Sequence, residues 1–281
     1  MKKILITGAN SYIGRSFENW MKQYPNEYAV DTIDMINDSW RKQSFINYDV
    51  VFHVAGIAHE KETKENKDLY YEVNCDLAFE TAKKSKQNKV KLFILLSSMS
   101  VYGIENGVIN KHTKLSPVSN YGKSKYKAEE LISSLEDDDF KIAILRPPMI
   151  YGKGCKGNYS RISDFAYKFP FFPKIKNERS MLFIDNLCEF IKILIRDYRT
   201  GVFFPQNREY VCTSEMVKLI AEIHGVKIFM TKIFNPFIIL SKRIRIVSKV
   251  FGNLTYEKSL SGDVNEYCIA DFDKSIILSE K

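Results

Sequence analysis

A strand, a glycine turn and a helix open this chain, and few folds begin that way. Lys3-Ile4-Leu5-Ile6-Thr7 is a short apolar run that leads straight into Gly8-Ala9-Asn10-Ser11-Tyr12-Ile13-Gly14. A helical period starts at Tyr12 and runs to Tyr24. An apolar run of that length reads as a parallel strand covered on both faces. Gly8 permits the tight turn, Gly14 lets the helix approach the sheet, and the amides at the helix start suit a pyrophosphate. Ser11 stands where such turns often carry a middle glycine. Two glycines alone are a weak signal; their place between a strand and a helix strengthens it.

The rest of the first half repeats the alternation. Strands are expected at Tyr28–Ile33, Asp49–Val54, Lys91–Leu96 and Phe140–Leu145, with helices at Lys67–Lys86 and Tyr121–Leu135. Near-continuous apolar strands separated by helices predict an α/β fold, a doubly wound parallel sheet of the Rossmann kind. After Arg146 the pattern changes to Pro147-Pro148 and the glycines at 152, 154 and 157, followed by shorter mixed elements. The chain therefore divides into 1–150, the nucleotide-holding sheet, and 151–281, a small C-terminal α+β subdomain whose elements can interleave with the first.

Bulk properties narrow the function classes. The five cysteines are scattered and odd in number, with no Cys-x-x-Cys pair, and the four histidines do not cluster, so reduced thiols and no metal are expected. The opening residues do not resemble a signal peptide, and no apolar stretch approaches the roughly 20 residues of a membrane span, so the expected location is the cytoplasm. The net charge of +8 is carried by dispersed lysines. It favours capture of an anionic small molecule, while no basic stripe interleaved with aromatics points to nucleic acid.

Asp34 falls at the end of the second strand, 20 residues after Gly14. A carboxylate there accepts from ribose hydroxyls and repels a 2′-phosphate, which leans toward NAD over NADP. Arg15 and Arg41 lean the other way, and Asp31 is the alternative carboxylate, so the preference stays open between NAD and NADP.

Asn120-Tyr121-Gly122-Lys123-Ser124-Lys125 places a phenol and an ammonium four residues apart at a helix start, on one face. The ammonium is expected to lower the phenol pKa, giving a tunable acid, and its other donors suit a ribose. The spacing says little by itself in a chain with 16 tyrosines. Its setting says more: Ser97-Ser98-Met99-Ser100-Val101-Tyr102-Gly103 follows the fourth strand, His53-Val54-Ala55-Gly56 the third, and Arg146-Pro147-Pro148-Met149-Ile150-Tyr151-Gly152 the fifth.

As an ordered set these motifs resemble an extended short-chain dehydrogenase/reductase of the NAD-dependent epimerase/dehydratase family, over roughly residues 1 to 230. The run from Gly157-Asn158 through Asn177-Glu178-Arg179-Ser180-Met181 to Leu187 is similar to bacterial capsule and O-antigen enzymes that reduce UDP-linked 4-keto-6-deoxy-N-acetylhexosamines. The resemblance implies an NAD(P)H-dependent enzyme with Ser98, Tyr121 and Lys125 as catalytic residues. It implies cofactor contacts at Gly8, Asn10, Ser11, Tyr12, Ile13, Gly14, Asp34, Val54, Ala55, Gly56, Asn74, Pro148 and Met149, as well as at Tyr121 and Lys125. Asp76-Leu77 replace the small Gly-Thr pair that follows the asparagine in the family, which bears on Asn74 and its helix.

For a UDP-sugar substrate the resemblance implies Asn158 and Arg179, beside Ser98 and Tyr121. A guanidinium fork suits a diphosphate. Arg161 is a poorer candidate, and Phe171-Phe172-Pro173 either walls the uracil or is core. Arg243 and Arg245 are the nearest residues to the second arginine of larger epimerases. No acidic pair stands beside Ser98, where Met99 and Ser100 occupy the positions an eliminating enzyme fills with acids. The expected reaction is thus reduction of a C4 ketone, yielding UDP-N-acetylfucosamine or UDP-N-acetylquinovosamine. A UDP-hexose 4-epimerase that retains NAD is the alternative. A non-enzymatic nucleotide-binding scaffold is the remote one, since it predicts damage to the catalytic set. A monomer or a homodimer through the 67–86 and 121–135 helices is expected.

Residues 235–252 carry Phe237, Leu240, Ile244, Val247 and Phe251 at helical spacing, with Lys242, Arg243, Arg245 and Lys249 between them. The expected arrangement is a helix packed on the sugar pocket with its basic groups in water; the alternative is a basic amphipathic helix on an anionic membrane.

Overall fold

The structure is a computed structural model that describes residues 1–58, 62–63, 65–233, 235–240 and 245–281. In chain order the first elements are β1 (Lys2–Thr7), α1 (Tyr12–Met21), β2 (Tyr28–Ile33), β3 (Val50–His53), α2 (Lys67–Tyr71), α3 (Leu77–Gln87) and β4 (Leu92–Leu96). There follow β5 (Gly107–Ile109), α4 (Asn120–Ser133), β6 (Lys141–Leu145), β7 (Met149–Tyr151), α5 (Asn158–Lys168), β8 (Phe171–Pro173), β9 (Met181–Phe183) and α6 (Ile184–Asp197). The last are β10 (Gly201–Phe203), α7 (Thr213–Ile223), β11 (Phe229–Thr231), α8 (Asn235–Leu240), α9 (Arg245–Phe251), β12 (Leu254–Tyr256) and α10 (Phe272–Glu280).

The chain forms two units. The first comprises Met1–Gly103, Leu115–Pro147 and Leu187–Pro205; the second comprises Ile104–Lys114, Pro148–Asn186 and Gln206–Lys281. A single cut at 150 does not describe this division, for a physical reason. Residues 201–203 form β10, which joins the first unit by pairing with β6, Val202 opposite Ile144. Residues 107–109 form β5, which pairs with β12 inside the second unit, Val108 opposite Thr255.

The first unit is built on a six-stranded parallel sheet in the order β10-β6-β4-β3-β1-β2. Its central strands are apolar at every position but His53 and buried on both faces: every residue of β3 and β4 is inaccessible or nearly so. That is the signature of a sheet covered by helices on each side, the doubly wound arrangement. Leu5, Val51, Phe93, Leu95, Ile142 and Ile144 of the sheet join Ala78, Ala82, Ala128 and Ile132 of α3 and α4 in one core. Alanine at the helix positions lets the backbones approach the sheet closely. The strand order reverses between β1 and β3, so their carboxyl ends open onto a crevice at the switch point, where such sheets bind ligands.

The helix expected over 67–86 is interrupted. A π-helical turn, Glu72–Asp76, separates α2 from α3 and contains the buried Asn74. Asp76 closes that turn and Leu77 opens α3.

In the second unit β8 pairs with β11, β7 with β9 and β12 with β5, each in parallel. The Glu280 carboxylate of α10 ties this unit together: it accepts from Tyr159 Oη of α5 at 2.6 Å and lies 2.8 Å from His224 Nε2 at the end of α7. Within 235–252 the described residues form α8 and α9, whose apolar side chains differ in burial. Phe251 of α9 stacks near Phe172, at 5.6 Å between ring centroids, whereas Phe237 and Leu240 of α8 are exposed. The expectation of a helix packed along its whole apolar stripe thus fails for α8. Arg243 and Ile244 lie outside the described residues.

Candidate active site

The site of the first unit starts at the turn after β1. Gly8 adopts φ +90°, and a Cβ there would sit 3.0 Å from the Ala55 backbone, so the turn closes onto the end of β3 only with glycine. Gly8 and Ala9 both donate to Ile33 O, at 2.9 and 3.2 Å, which ties the turn to β2. Ser11 caps α1, accepting from Gly14 N at 3.0 Å, and the first turn of α1 carries no acidic residue. The serine in the middle position thus makes the cap itself. A bare glycine floor at a helix N-terminus without acidic side chains fits a dinucleotide pyrophosphate. Asn10, Tyr12 and Ile13 complete this turn, while Val54, Ala55 and Gly56 form the facing end of the β3 crossover.

Asp34 directly follows β2 and accepts from Ile36 N at 2.9 Å, an Asx turn that fixes its side chain. Asp31 lies inside β2 and is occupied by Tyr48, whose hydroxyl donates to it at 2.9 Å. Of the two carboxylates, Asp34 is the one at the carboxyl end of the strand. Arg41 is engaged elsewhere, paired with Asp38 and, through Nε at 2.6 Å, with Glu80.

At the end of β4, Ser98 caps a short 3-10 turn, Met99–Tyr102, accepting from Ser100 N at 3.1 Å. Helix α4 packs directly on that turn. A Cβ on Gly122 would lie 2.6 Å from Ser100 O, so glycine here is what lets the helix reach the turn. The approach brings Tyr121 beside Ser98, whose hydroxyl acts to lower the phenol pKa. Ser119 caps α4 through Gly122 N at 3.0 Å, and the Glu62 carboxylate accepts from the amides of Asn120 and Tyr121 at 3.2 and 3.1 Å. The helix start that holds the phenol is thereby pinned by a residue of the loop after β3.

Lys125 is buried, and its Nζ donates to Leu96 O at 2.9 Å, two residues before Ser98. A Cβ on Gly56 would stand 3.3 Å from that Nζ, which locates the ammonium beside the β3 crossover. Burial pulls the Lys125 pKa down to about 8, against the opposing pull of Glu129. The expectation that this ammonium lowers the phenol pKa is not met here. Burial raises the Tyr121 pKa, the Ser98 hydrogen bond offsets part of that rise, and Tyr70 adds to it. The half-buried phenol is therefore protonated at neutral pH.

Asn74 links three elements. Its Oδ1 accepts from Ile57 N at 2.9 Å, and its Nδ2 donates to Ile57 O at 3.1 Å and to Ser124 Oγ at 3.2 Å. It holds the segment after Gly56 against the residue next to Lys125. Beneath this lies His53, wholly buried, with Nδ1 2.8 Å from Thr7 Oγ1 and Nε2 without a partner. Burial drives the His53 pKa down to about 3, with the Lys125 charge as a smaller contribution, so the ring is neutral.

Residue-by-residue reasoning did not single out Glu129, which lies one turn past Lys125. Its carboxylate accepts from Ser97 and from Arg146 Nη2, the latter at 2.6 Å. The spacing was a signal: four residues after Lys125 is the same helix face.

Other candidates fall in the second unit. Pro148 is buried just before β7, where Met149 pairs with Met181 of β9. Asn158 is exposed at the start of α5, after Gly157. Arg179 bridges Val211 and Leu254 through its backbone. Its Nη1 donates to Ser248 O at 3.3 Å and Gly252 O at 3.1 Å, closing the carboxyl end of α9. Burial lowers the Arg179 pKa while Glu105 opposes the shift. Phe172 is core, packed 5.3 Å from Phe165, while Phe171 faces water.

Known proteins match this architecture. A UDP-glucose 4-epimerase of Vibrio cholerae is 30% identical over 247 residues, 78% of this chain and 75% of that protein. A UDP-2-acetamido-2,6-beta-L-arabino-hexul-4-ose reductase of Pseudomonas aeruginosa is 23% identical, over 82% of this chain and 59% of its own length. Among solved structures, a UDP-glucuronic acid 4-epimerase from Bacillus cereus in complex with NAD superposes with a TM-score of 0.74 at 18% identity, covering 99% of this chain and 96% of that one. The model of the NAD dependent epimerase/dehydratase family matches residues 4–212, the stretch that carries the glycine turn, Ser98, Tyr121 and Lys125. The chain belongs to that family and is an NAD(P)-dependent oxidoreductase of nucleotide sugars.

Proposed function

We propose that the chain is a 4-ketoreductase of a UDP-linked 4-keto-6-deoxy-N-acetylhexosamine, working in the cytoplasm in surface polysaccharide synthesis. One observation carries the reading: the close approach of Gly122 to Ser100 O sets the Tyr121 phenol beside the Ser98 hydroxyl, with no acid in the turn that follows. When bound, NAD(P)H supplies the hydride for the carbonyl carbon. Tyr121 gives its proton to the alkoxide oxygen formed at C4, and Ser98 donates a hydrogen bond to the same oxygen. These donors are aimed where negative charge develops, which is where they lower a barrier most. Lys125, held by Leu96 O, keeps further donors for a ribose. The Gly8–Gly14 turn and the start of α1 hold the pyrophosphate, and Asp34 takes the adenosine ribose. In the second unit, Arg179 and Asn158 are assigned to the UDP.

Met99 is buried and Ser100 is a hydroxyl, so elimination of water from the sugar has no acid–base pair here. A raised phenol pKa suits proton donation, the direction of reduction. The 4-epimerase reading is favoured by a different observation, the 30% identity to the Vibrio cholerae UDP-glucose 4-epimerase. Purified protein given a UDP-4-keto-6-deoxy-N-acetylhexosamine is expected to oxidise NADH or NADPH in proportion to the substrate consumed. Turnover of UDP-glucose or UDP-N-acetylglucosamine with no net change in cofactor would replace the reductase by the epimerase.

A further inference from the structure

The second unit exposes apolar side chains that its own fold leaves uncovered. Phe171 and Phe229 are register partners in the β8–β11 pair, so both rings leave the same face, 5.7 Å apart between centroids. The opposite face of β8 is satisfied, since Phe172 is buried. Beyond β11 the chain turns at Ile233 and enters α8, whose first residue is tied back when Asn235 Nδ2 donates to Lys174 O at 2.8 Å. Exposure in these neighbouring segments is 54% at Phe171, 61% at Phe229, 75% at Ile233, 70% at Phe237 and 83% at Leu240.

The segments that carry these residues are predominantly basic. From residue 223 to 256 the sequence holds six basic residues and no acidic one; from 165 to 177 it holds three lysines and no acid. Lys174, Lys227 and Lys232 of these stretches are exposed. The acids that bound these stretches are Asp164, Glu178, Glu222 and Glu257; Asp164 pairs with Lys168 at 3.5 Å and accepts from the Tyr167 hydroxyl, and Glu222 pairs with Lys218 at 3.4 Å. Exposed aromatic and aliphatic side chains in segments rich in lysine and poor in acids are the chemistry of a protein face that lies in a lipid headgroup layer. A second copy of this surface would bring lysines against lysines, which opposes self-association.

We propose that this β8–β11–α8 surface docks the enzyme peripherally on an anionic lipid bilayer, with Phe229, Phe237 and Leu240 entering the headgroup region and the lysines against lipid phosphates. No helix among the described residues is long and apolar enough to cross a membrane, so the contact is lateral.

The test is flotation of the full chain with vesicles of phosphatidylcholine alone or mixed with phosphatidylglycerol, at low and high salt. Recovery is expected with the anionic vesicles only, and reduced by salt. Lys174→Glu and Lys232→Glu are each expected to weaken binding by at least about fivefold, the equivalent of one headgroup contact. Phe229→Asp with Phe237→Asp should abolish recovery while circular dichroism and NAD(P)H oxidation stay as in the parent. No lipid-dependent recovery, or recovery untouched by the double substitution, overturns the proposal. So does concentration-dependent dimerisation that the double substitution removes in the absence of lipid, which would assign the surface to a second copy.

Discussion

Arg146 grips Glu129 with Nε 3.1 Å from both carboxylate oxygens and Nη2 2.6 Å from Oε2, and both side chains are buried. Arg146 Nη1 also donates to Tyr102 Oη at 3.1 Å. The pair joins the end of β6 to α4 and to the turn that carries Ser98. Removing one partner leaves a buried charge without water, which costs about 3–5 kcal/mol. Arg146→Met is expected to lower the unfolding free energy in urea by about that amount. The double variant Glu129→Leu/Arg146→Met is expected to lie closer to the parent than either single change, because no charge is stranded.

Tyr121→Phe removes the proton donor and leaves the ring in place. Turnover is expected to fall by about 10²–10⁴-fold, with cofactor affinity measured by fluorescence quenching changed little. Activity within severalfold of the parent would dismiss Tyr121 as the acid.

The sign of one pH effect follows from His53. Unfolded, the ring takes a proton as pH falls through its ordinary value of 6.5; folded, burial refuses that proton down to about 3. The unfolded state therefore binds more protons between those values, and stability present above 6.5 is lost as pH falls toward 3. His53→Asn cannot titrate, so its unfolding midpoint is expected to vary less over that window than the parent's. Identical pH profiles would show that His53 does not report the change.

Asp34 stands at the carboxyl end of β2, held by the Ile36 amide. If it accepts from the ribose, Asp34→Ala should raise the KM for NADH and lower that for NADPH, narrowing the preference by about tenfold, one pairing of a charge with a hydroxyl. An unchanged ratio of kcat/KM for the two cofactors would remove Asp34 from that role.

The parallel strands were legible because their burial is local in origin. β3 and β4 are apolar at every position but His53, and a run of that kind suits only a strand covered on both faces. The glycine turn was legible for a similar reason, since it directly follows an apolar run and opens a helix. Strand order and the return of residues 201–203 to the sheet were not, because a three-residue edge strand has too little pattern to read. Nor was the interruption at Asn74, where good helix formers continue on both sides of a π turn.

Residue type and spacing were enough to determine the alternating α/β architecture and the strand–turn–helix opening, since these depend on period and on neighbours in the chain; the Ser98, Tyr121 and Lys125 set came from the resemblance of ordered motifs to a family. Protonation and partners were decided only in three dimensions. The Tyr121 pKa rises rather than falls because burial outweighs the opposing effect of the Ser98 hydroxyl. Arg179 holds the carbonyls of Ser248 and Gly252, residues about 70 positions away. Dielectric and long-range hydrogen bonding are properties of the packed surroundings, and a linear sequence does not carry them.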